Sequence, residues 1–349
     1  MLKKFKFIYK PLTISSSPQL NLVWGFFLYV ATGAILLSLP FFQKVDVSLI
    51  DNLFIATSAV STTGLVTVSV SDSYTFIGQF IVMALFQIGG IGYMTLTTYY
   101  LLFTSNRITR WHKKKISTEF TMPSSIRMND FIKSVIIFTL IMETLGSIAF
   151  FTAFKMEGVA TGHAIWSSIF HSVSAFCTAG FGLYNDSFES YQNNYFISTI
   201  ISVLAICGSI GFILITDLYY RIAGKSDKLN FTTKIVGFGF IILLLSGTII
   251  IYFTDPLVFQ NGDAPILKSF FQAMTAMTTV GFNTIATGEI GLPIFSLIIF
   301  LMYIGASPSG TAGGMKITTF TAILAILKSR LNGDKKISFF NKLIPFERL

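Results

Sequence analysis

Long apolar stretches alternate with shorter amphipathic ones along this chain, and the alternation repeats. Stretches at 20–42, 74–104, 131–154, 194–220, 235–254 and 290–328 are each long enough to cross a bilayer, which takes about 20 helical residues for roughly 30 Å of hydrocarbon. Within each successive pair lies a shorter segment, at 48–60, 162–176 and 264–277. These segments predict re-entrant helices that enter the membrane and stop. The pattern therefore predicts an all-α integral membrane protein of repeated helix–pore loop–helix units. A first unit spans 1–104, a basic cytoplasmic linker 105–130 and a second unit 131–220. A second linker covers 221–234, a third unit with a broken last helix 235–328, and 329–349 is a cytoplasmic tail or the start of a further unit.

Composition agrees: 52% of residues are hydrophobic and 12% charged, against about 25% charged in a soluble domain. The formal charge of +9 invites a nucleic-acid reading until its distribution is followed. Lys3, Lys4, Lys6 and Lys10 precede the first span, and Arg107, Arg110, Lys113, Lys114 and Lys115 lie in the first linker. Lys44, Lys155 and Lys268 alone fall on the opposite side. That asymmetry excludes nucleic acid as the expected partner and places both termini and the linkers in the cytoplasm. More than half of the 16 acids, among them Asp51, Asp72, Glu157 and Glu189, then face outward, where they would concentrate cations. The first linker suits a topology anchor beside anionic lipid, with docking of a soluble partner as the alternative. The basic, apolar N-terminus has no cleavage pattern and reads as a retained first helix. Cys177 and Cys207 fall in or beside spans and suggest neither disulfide nor metal site.

The third feature is a repeated loop. Ser58-Ala59-Val60-Ser61-Thr62-Thr63-Gly64-Leu65, Ser174-Ala175-Phe176-Cys177-Thr178-Ala179-Gly180-Phe181 and Thr275-Ala276-Met277-Thr278-Thr279-Val280-Gly281-Phe282 share one register. Each reads as the end of a pore helix turning into a carbonyl-lined loop, with glycine supplying the positive φ. Irregular backbone at membrane depth must be buried in protein or line a cavity, so three such loops imply a shared cavity. A half-crossing helix also aims its negative C-terminal end there. Packing through small residues is the alternative to a filter, and the triple register disfavours it.

These loops, with Gly305-Ala306-Ser307-Pro308-Ser309-Gly310-Thr311-Ala312-Gly313-Gly314-Met315-Lys316, make the chain similar to the Trk/Ktr/HKT superfamily of K⁺ transporters. It most resembles the bacterial Ktr-type membrane subunit. The resemblance implies four units around a central ion path, each giving one filter strand with one glycine, and this sequence contains three such patterns. It implies K⁺ as the transported ion, with uptake often Na⁺-dependent and no organic cofactor. It also implies a homodimer in the cytoplasmic membrane and a cytosolic nucleotide-binding subunit of the regulator-of-K⁺-conductance type. The filter would comprise Ser61, Thr62, Thr63 and Gly64, then Cys177, Thr178, Ala179 and Gly180, then Thr278, Thr279, Val280 and Gly281. Four glycines and Pro308 should break the last span. The resemblance makes Gly305, Ser307, Pro308, Ser309, Gly310, Thr311, Gly313, Gly314 and Lys316 a gating loop beneath the filter. A kinked packing helix is the plainer reading. The GxxxxG spacing of Gly305 and Gly310 lacks the lysine and preceding strand of a phosphate loop.

Gly89, Gly90 and Gly92 read as close-packing positions rather than a dinucleotide fingerprint. Glu143 is expected mid-span, either in a structural hydrogen bond or in ion handling. His112, His163 and His171 have no metal-ligand spacing. A secondary transporter of another solute with broken helices, or a truncated and inactive K⁺ transporter, are the competing readings. An intramembrane enzyme lacks any catalytic set.

Overall fold

The computed structural model describes residues 18–92, 128–259 and 264–333, together with two short paired strands, Ser338–Phe339 and Lys342–Leu343. The first unit contains α1 (Pro18–Leu37), α2 (Leu49–Val60), the single-turn α3 (Val70–Ser73) and α4 (Phe76–Ile91). The second contains α5 (Met128–Met156), α6 (Thr161–Phe176), α7 (Tyr195–Ile210) and α8 (Phe212–Ile222). The third contains α9 (Phe231–Thr254), α10 (Pro265–Thr278), α11 (Leu292–Tyr303) and α12 (Ile317–Leu331). Local chemistry starts several of these helices. Ser48 and Asn194 accept hydrogen bonds from Asp51 N at 3.1 Å and Ile197 N at 2.9 Å, satisfying amides that a helix N-terminus leaves open. Proline occupies the first turn of α10 and α11, where its missing N–H costs nothing.

One packing arrangement recurs in every unit. The first helix carries a glycine whose missing β-carbon leaves room for the pore helix and for a leucine of the following helix. In unit one, Gly33 faces Ala56 and Leu85; in unit two, Gly146 faces Ser172 and Leu204; in unit three, Gly247 faces Ala273 and Leu301. Ala56, Ser172 and Ala273 each precede their loop's glycine by the same number of residues, so one register governs the three units. Outward faces are apolar: Leu28 and Ile35 on α1, Leu140 and Leu145 on α5, and Ile241 and Leu245 on α9 are all exposed. Such bands suit hydrocarbon rather than water.

The second helices of units one and two depart from the sequence expectation. Stretch 194–220 is not one rod, because α7 and α8 meet at Gly211 with a bend of 88°. Gly211 takes φ +93°, a left-handed conformation that costs glycine little. Similarly, α4 stops at Gly92, φ +84°, and the remainder of stretch 74–104 and the first linker through residue 127 lie outside the described residues. Among those described, Asn129–Met156 and Phe231–Thr254 are long and apolar enough to span alone, and the bent pair makes a third. The break in the last span was expected from 305–316, whereas the break at Gly211 was not. Two boundaries also move. Helix α5 begins at Met128 rather than 131. The second linker shortens to 223–230, because the buried Asp217 carboxylate accepts from Asn230 N at 2.7 Å and Asn230 Nδ2 at 2.5 Å and starts α9 early.

At Gly208 an added methyl would run into the Phe176 carbonyl oxygen, a backbone atom that cannot step aside. Gly208→Ala should therefore destabilise the detergent-purified protein by roughly 1–3 kcal/mol, the usual cost of overpacking. A lowered thermal unfolding midpoint would register it.

Candidate functional site: three filter loops and the segment beneath them

The pore helices α2 and α6 end in a turn built by two crossed hydrogen bonds. Thr62 N donates to Ala59 O at 3.0 Å and Thr63 N to Ser58 O at 2.9 Å; Thr178 N donates to Ala175 O at 3.2 Å and Ala179 N to Ser174 O at 2.8 Å. This is the Schellman arrangement, which places one residue in the left-handed region. Here that residue is threonine. Thr62, Thr178 and Thr279 have φ of 50°, 49° and 54°, and Gly64, Gly180 and Gly281 follow two residues later at 78°, 69° and 79°. Each loop thus carries two left-handed residues rather than the single one that glycine signalled. A left-handed threonine costs on the order of 1–3 kcal/mol and persists only where surroundings enforce it.

The three loops converge. A β-carbon on Gly64 would stand 2.5 Å from Ala179 O and 2.9 Å from Gly180 Cα, and one on Gly281 would stand 3.9 Å from Gly180 Cα. Val280 O lies against Gly180 in the same way. Backbone oxygens of one loop are therefore aimed at the glycine of the next, and only glycine permits the approach. Filter positions divide by exposure: Cys177, Thr178, Ala179, Thr278 and Val280 are buried, while Ser61, Thr63 and Gly281 are exposed. All twelve positions expected to form a filter sit in or at the ends of these loops.

Residues 305–316 interrupt the last helix between α11 and α12, as four glycines and Pro308 require. The bend between α7 and α8 leaves helix backbone groups without helical partners, and this segment supplies them. Ser307 N donates to Ser209 O at 3.1 Å and Thr311 N to Gly208 O at 3.1 Å; Phe212 N donates to Ser309 O at 3.1 Å. Ser309 Oγ accepts from Ile213 N at 2.9 Å. Two contacts then reach the loops above. Thr178 Oγ1 bonds Thr311 Oγ1 at 3.0 Å, and Gly313 N donates to Thr279 Oγ1 at 2.8 Å. Lys316 Nζ turns back to donate to Ala312 O within the segment, Gly310 packs on Ser209 O, and Gly305 and Gly314 lie against each other's backbone. The segment is thus stitched to α7, α8 and two filter threonines at once.

The glycines of α4 have steric roles. Gly89 admits Val60 O of its own unit's pore helix, and Gly90 admits Cys177 of the neighbouring unit. His171 is fully buried. Its Nδ1 donates to Ser167 O at 2.8 Å and its Nε2 accepts from Leu183 N at 3.1 Å, while its ring stacks on Tyr184 at 5.1 Å. It braces the strand leaving the second loop and is not joined by His163 in a ligand set. No group of metal-ligating side chains occurs among the described residues. At the end of the loops away from residues 305–316, Glu189 borders two clefts, one shared with Glu157 and the other with Glu289. Asn185 ties unit two to unit one there, donating to Asp72 Oδ2 at 2.9 Å and accepting from Ser69 Oγ at 2.6 Å.

Broken spans, lipid-facing bands and three converging pore loops define a multi-pass membrane protein of the helix–pore loop–helix class. Residues 25–346 match the family model described as TrkH, cation transport protein, and the chain belongs to that family. It is 32% identical to the potassium/sodium uptake protein NtpJ of Enterococcus hirae over 337 residues, covering 94% of this chain and 73% of that protein. It is 31% identical to the Ktr system potassium uptake protein B of Bacillus subtilis over 338 residues, covering 95% and 74%. The crystal structure of the potassium transporter TrkH from Vibrio parahaemolyticus superposes with a TM-score of 0.72 at 21% identity, over 97% of this chain and 68% of that one. The family is one of transporters, so the chain is not an enzyme.

The bonds from Asn185 first, then from Ser69, hold the exposed Asp72 carboxyl below the usual carboxylate range. A depressed folded-state value means the tie contributes above the ordinary carboxylate pKa and is lost as pH falls through the lowered one. Acidification should therefore loosen the mouth between units one and two. The pH dependence of the unfolding midpoint below about pH 4 should flatten in Asp72→Asn.

Proposed function

We propose that this protein takes up K⁺ across the cytoplasmic membrane through the three loops, with residues 305–316 as the gate. The observation that carries the reading is the convergence of Gly64, Gly180 and Gly281, with Ala179 O against Gly64 and Val280 O against Gly180. A partly dehydrated K⁺ is coordinated by such carbonyls in place of water. Pore helices α2, α6 and α10 point their C-terminal ends at the same place and favour positive charge there. The names of the relatives, potassium and potassium/sodium uptake proteins, support K⁺ as cargo and Na⁺ as a second ion of the path. One glycine per loop gives fewer defined sites than a filter with two, hence looser discrimination against Na⁺. A fourth strand closes the ring. The reading includes a homodimer and a cytosolic nucleotide-binding subunit; the naming of relatives as parts of a Ktr system supports a further subunit.

The gate assignment rests on the bonds from Thr311 to Thr178 and from Gly313 to Thr279. They hold the segment directly under the loops, so ions pass only when it moves. Thr311→Val removes the bond to Thr178 Oγ1 and a second, weaker one to Phe176 O. Basal Rb⁺ uptake should rise severalfold in that variant, read as tracer influx into whole cells.

The direct test is growth rescue of a K⁺-uptake-deficient bacterium on low-K⁺ medium. This chain is expressed alone and fused at its C-terminus to the part of a Ktr relative that lies beyond the matched region, each with a cognate cytosolic subunit. Rescue by either form supports the reading, and absence of rescue by both removes it. In a rescuing form, Gly64→Ser and Gly281→Ser should each lower the preference for K⁺ over Na⁺ by at least tenfold. Wild-type selectivity in both variants would mean that the loops are not the filter.

A further inference from the structure

A polar chain runs behind the second filter loop, and neither conduction nor gating as described uses it. Glu143 lies in the middle of α5 and is 8% exposed, with Oε1 lacking any hydrogen-bond partner. A buried ionisable side chain in a membrane segment is expensive and kept for a reason. Gln87, on α4 of the first unit, has its side chain beside the Glu143 carboxyl. The amide oxygen of the same Gln87 accepts the Cys177 S–H at 3.1 Å. With that oxygen engaged, the amide nitrogen is the group left to donate to Glu143. Gly90 makes the approach possible, because a β-carbon there would stand 2.7 Å from Cys177 Sγ.

Comparison with the sister loops shows why the chain exists only here. The positions equivalent to Cys177 are Ser61 and Thr278. Both hydroxyls bond within their own pore helix, Ser61 Oγ to Thr57 O and Thr278 Oγ1 to Met274 O, each at 2.7 Å. A thiol is a weak donor, and Cys177 reaches across to the first unit instead. The second loop is therefore the one whose first residue is fastened to a neighbouring unit by its side chain. Its following residue, Thr178, is bonded by the Thr311 hydroxyl of the segment below, whereas Thr279 of the third loop takes a backbone amide, Gly313 N.

We propose that Glu143, Gln87 and Cys177 form a positioning chain that fixes the second filter loop against the first unit and so sets how strictly the loops discriminate among monovalent cations. Position 143 serves as a hydrogen-bond acceptor for Gln87, and its charge is not what the loop needs. The proposal rests on the K⁺-filter reading above for its transport readout, and a second readout is independent of transport.

The experiment uses the rescuing form of the transporter, with membrane abundance measured for every variant. Gln87→Leu, Cys177→Ala and Glu143→Leu should each lower the Rb⁺-to-Na⁺ uptake ratio by roughly three- to tenfold, the scale of one hydrogen bond. Gln87→Leu combined with Cys177→Ala should be no worse than either alone, since both cut the same chain. Glu143→Gln, which keeps an acceptor without the charge, should retain the wild-type ratio. In a Cys207→Ser background, a membrane-permeant maleimide should label Cys177 several times faster once Gln87→Leu or Glu143→Leu frees the thiol. If wild type takes up no Rb⁺, the filter reading fails while the labelling rates still judge the chain. Wild-type selectivity in abundant Cys177→Ala and Gln87→Leu would overturn the proposal. So would damage from Glu143→Gln equal to that from Glu143→Leu, or labelling rates unchanged by the substitutions.

Discussion

Backbone that leaves helical pairing inside a membrane has to find its hydrogen bonds in protein, and the rest of this structure follows from meeting that requirement three times at one place. At α2 and α6 the crossed bonds from residues 62 and 63, and from 178 and 179, close the helix end on itself. That closure forces a left-handed residue just beyond the helix, and a second left-handed residue returns the chain toward the surface. Between them the carbonyls are spent neither on the helix nor on the turn. They face the neighbouring loops.

Bringing three helix ends so close requires removing atoms elsewhere. Gly33, Gly146 and Gly247 let each first helix sit on its pore helix, and Gly89 and Gly208 let the second helix of units one and two touch a pore-helix carbonyl. Hydrophobic burial is a weak guide inside a bilayer, where lipid tails are as apolar as leucine, and close backbone packing takes its place. This explains why the first helices keep exposed apolar faces outward and reserve their small residues for the inward one. It also explains His171, whose ring fills an aromatic pocket with Phe154, Tyr184 and Phe188 while its two nitrogens serve backbone groups.

Much of this architecture was legible in the order of residues. The pore helices fall at 49–60, 161–176 and 265–278 because amphipathic segments too short to span are visible as such. The break at 305–316 was legible because proline and four glycines leave no alternative. Less visible was the left-handed threonine, since glycine is the residue that signals positive φ and threonine is ordinarily excluded from it. The bend at Gly211 was hidden for a different reason. A single glycine in an apolar run is tolerated within a helix, and only the partner strand of residues 307–311 makes breaking it worthwhile. Gln87 carried no signal at all, because its bond is to Cys177, which lies far away in sequence.

The third unit differs from the others in a way that bears on gating. In unit two the second helix is interrupted at one left-handed glycine, whereas in unit three the interruption is a segment running from Gly305 to Lys316. That segment takes up the backbone groups which the bend in unit two exposes, through Ser307, Ser309 and Thr311. The two irregularities therefore stabilise each other. If the segment swings away, Gly208 O, Ser209 O, Phe212 N and Ile213 N lose their partners together and must regain them from water or by straightening at Gly211. On the gating reading, water filling the path supplies those partners when the path opens, so hydration and opening are one event. On the same reading, a displacement of α8 would reach the second loop through the same bonds, because Phe212 and Ile213 at its start are held by Ser309, two residues before the threonine that touches Thr178.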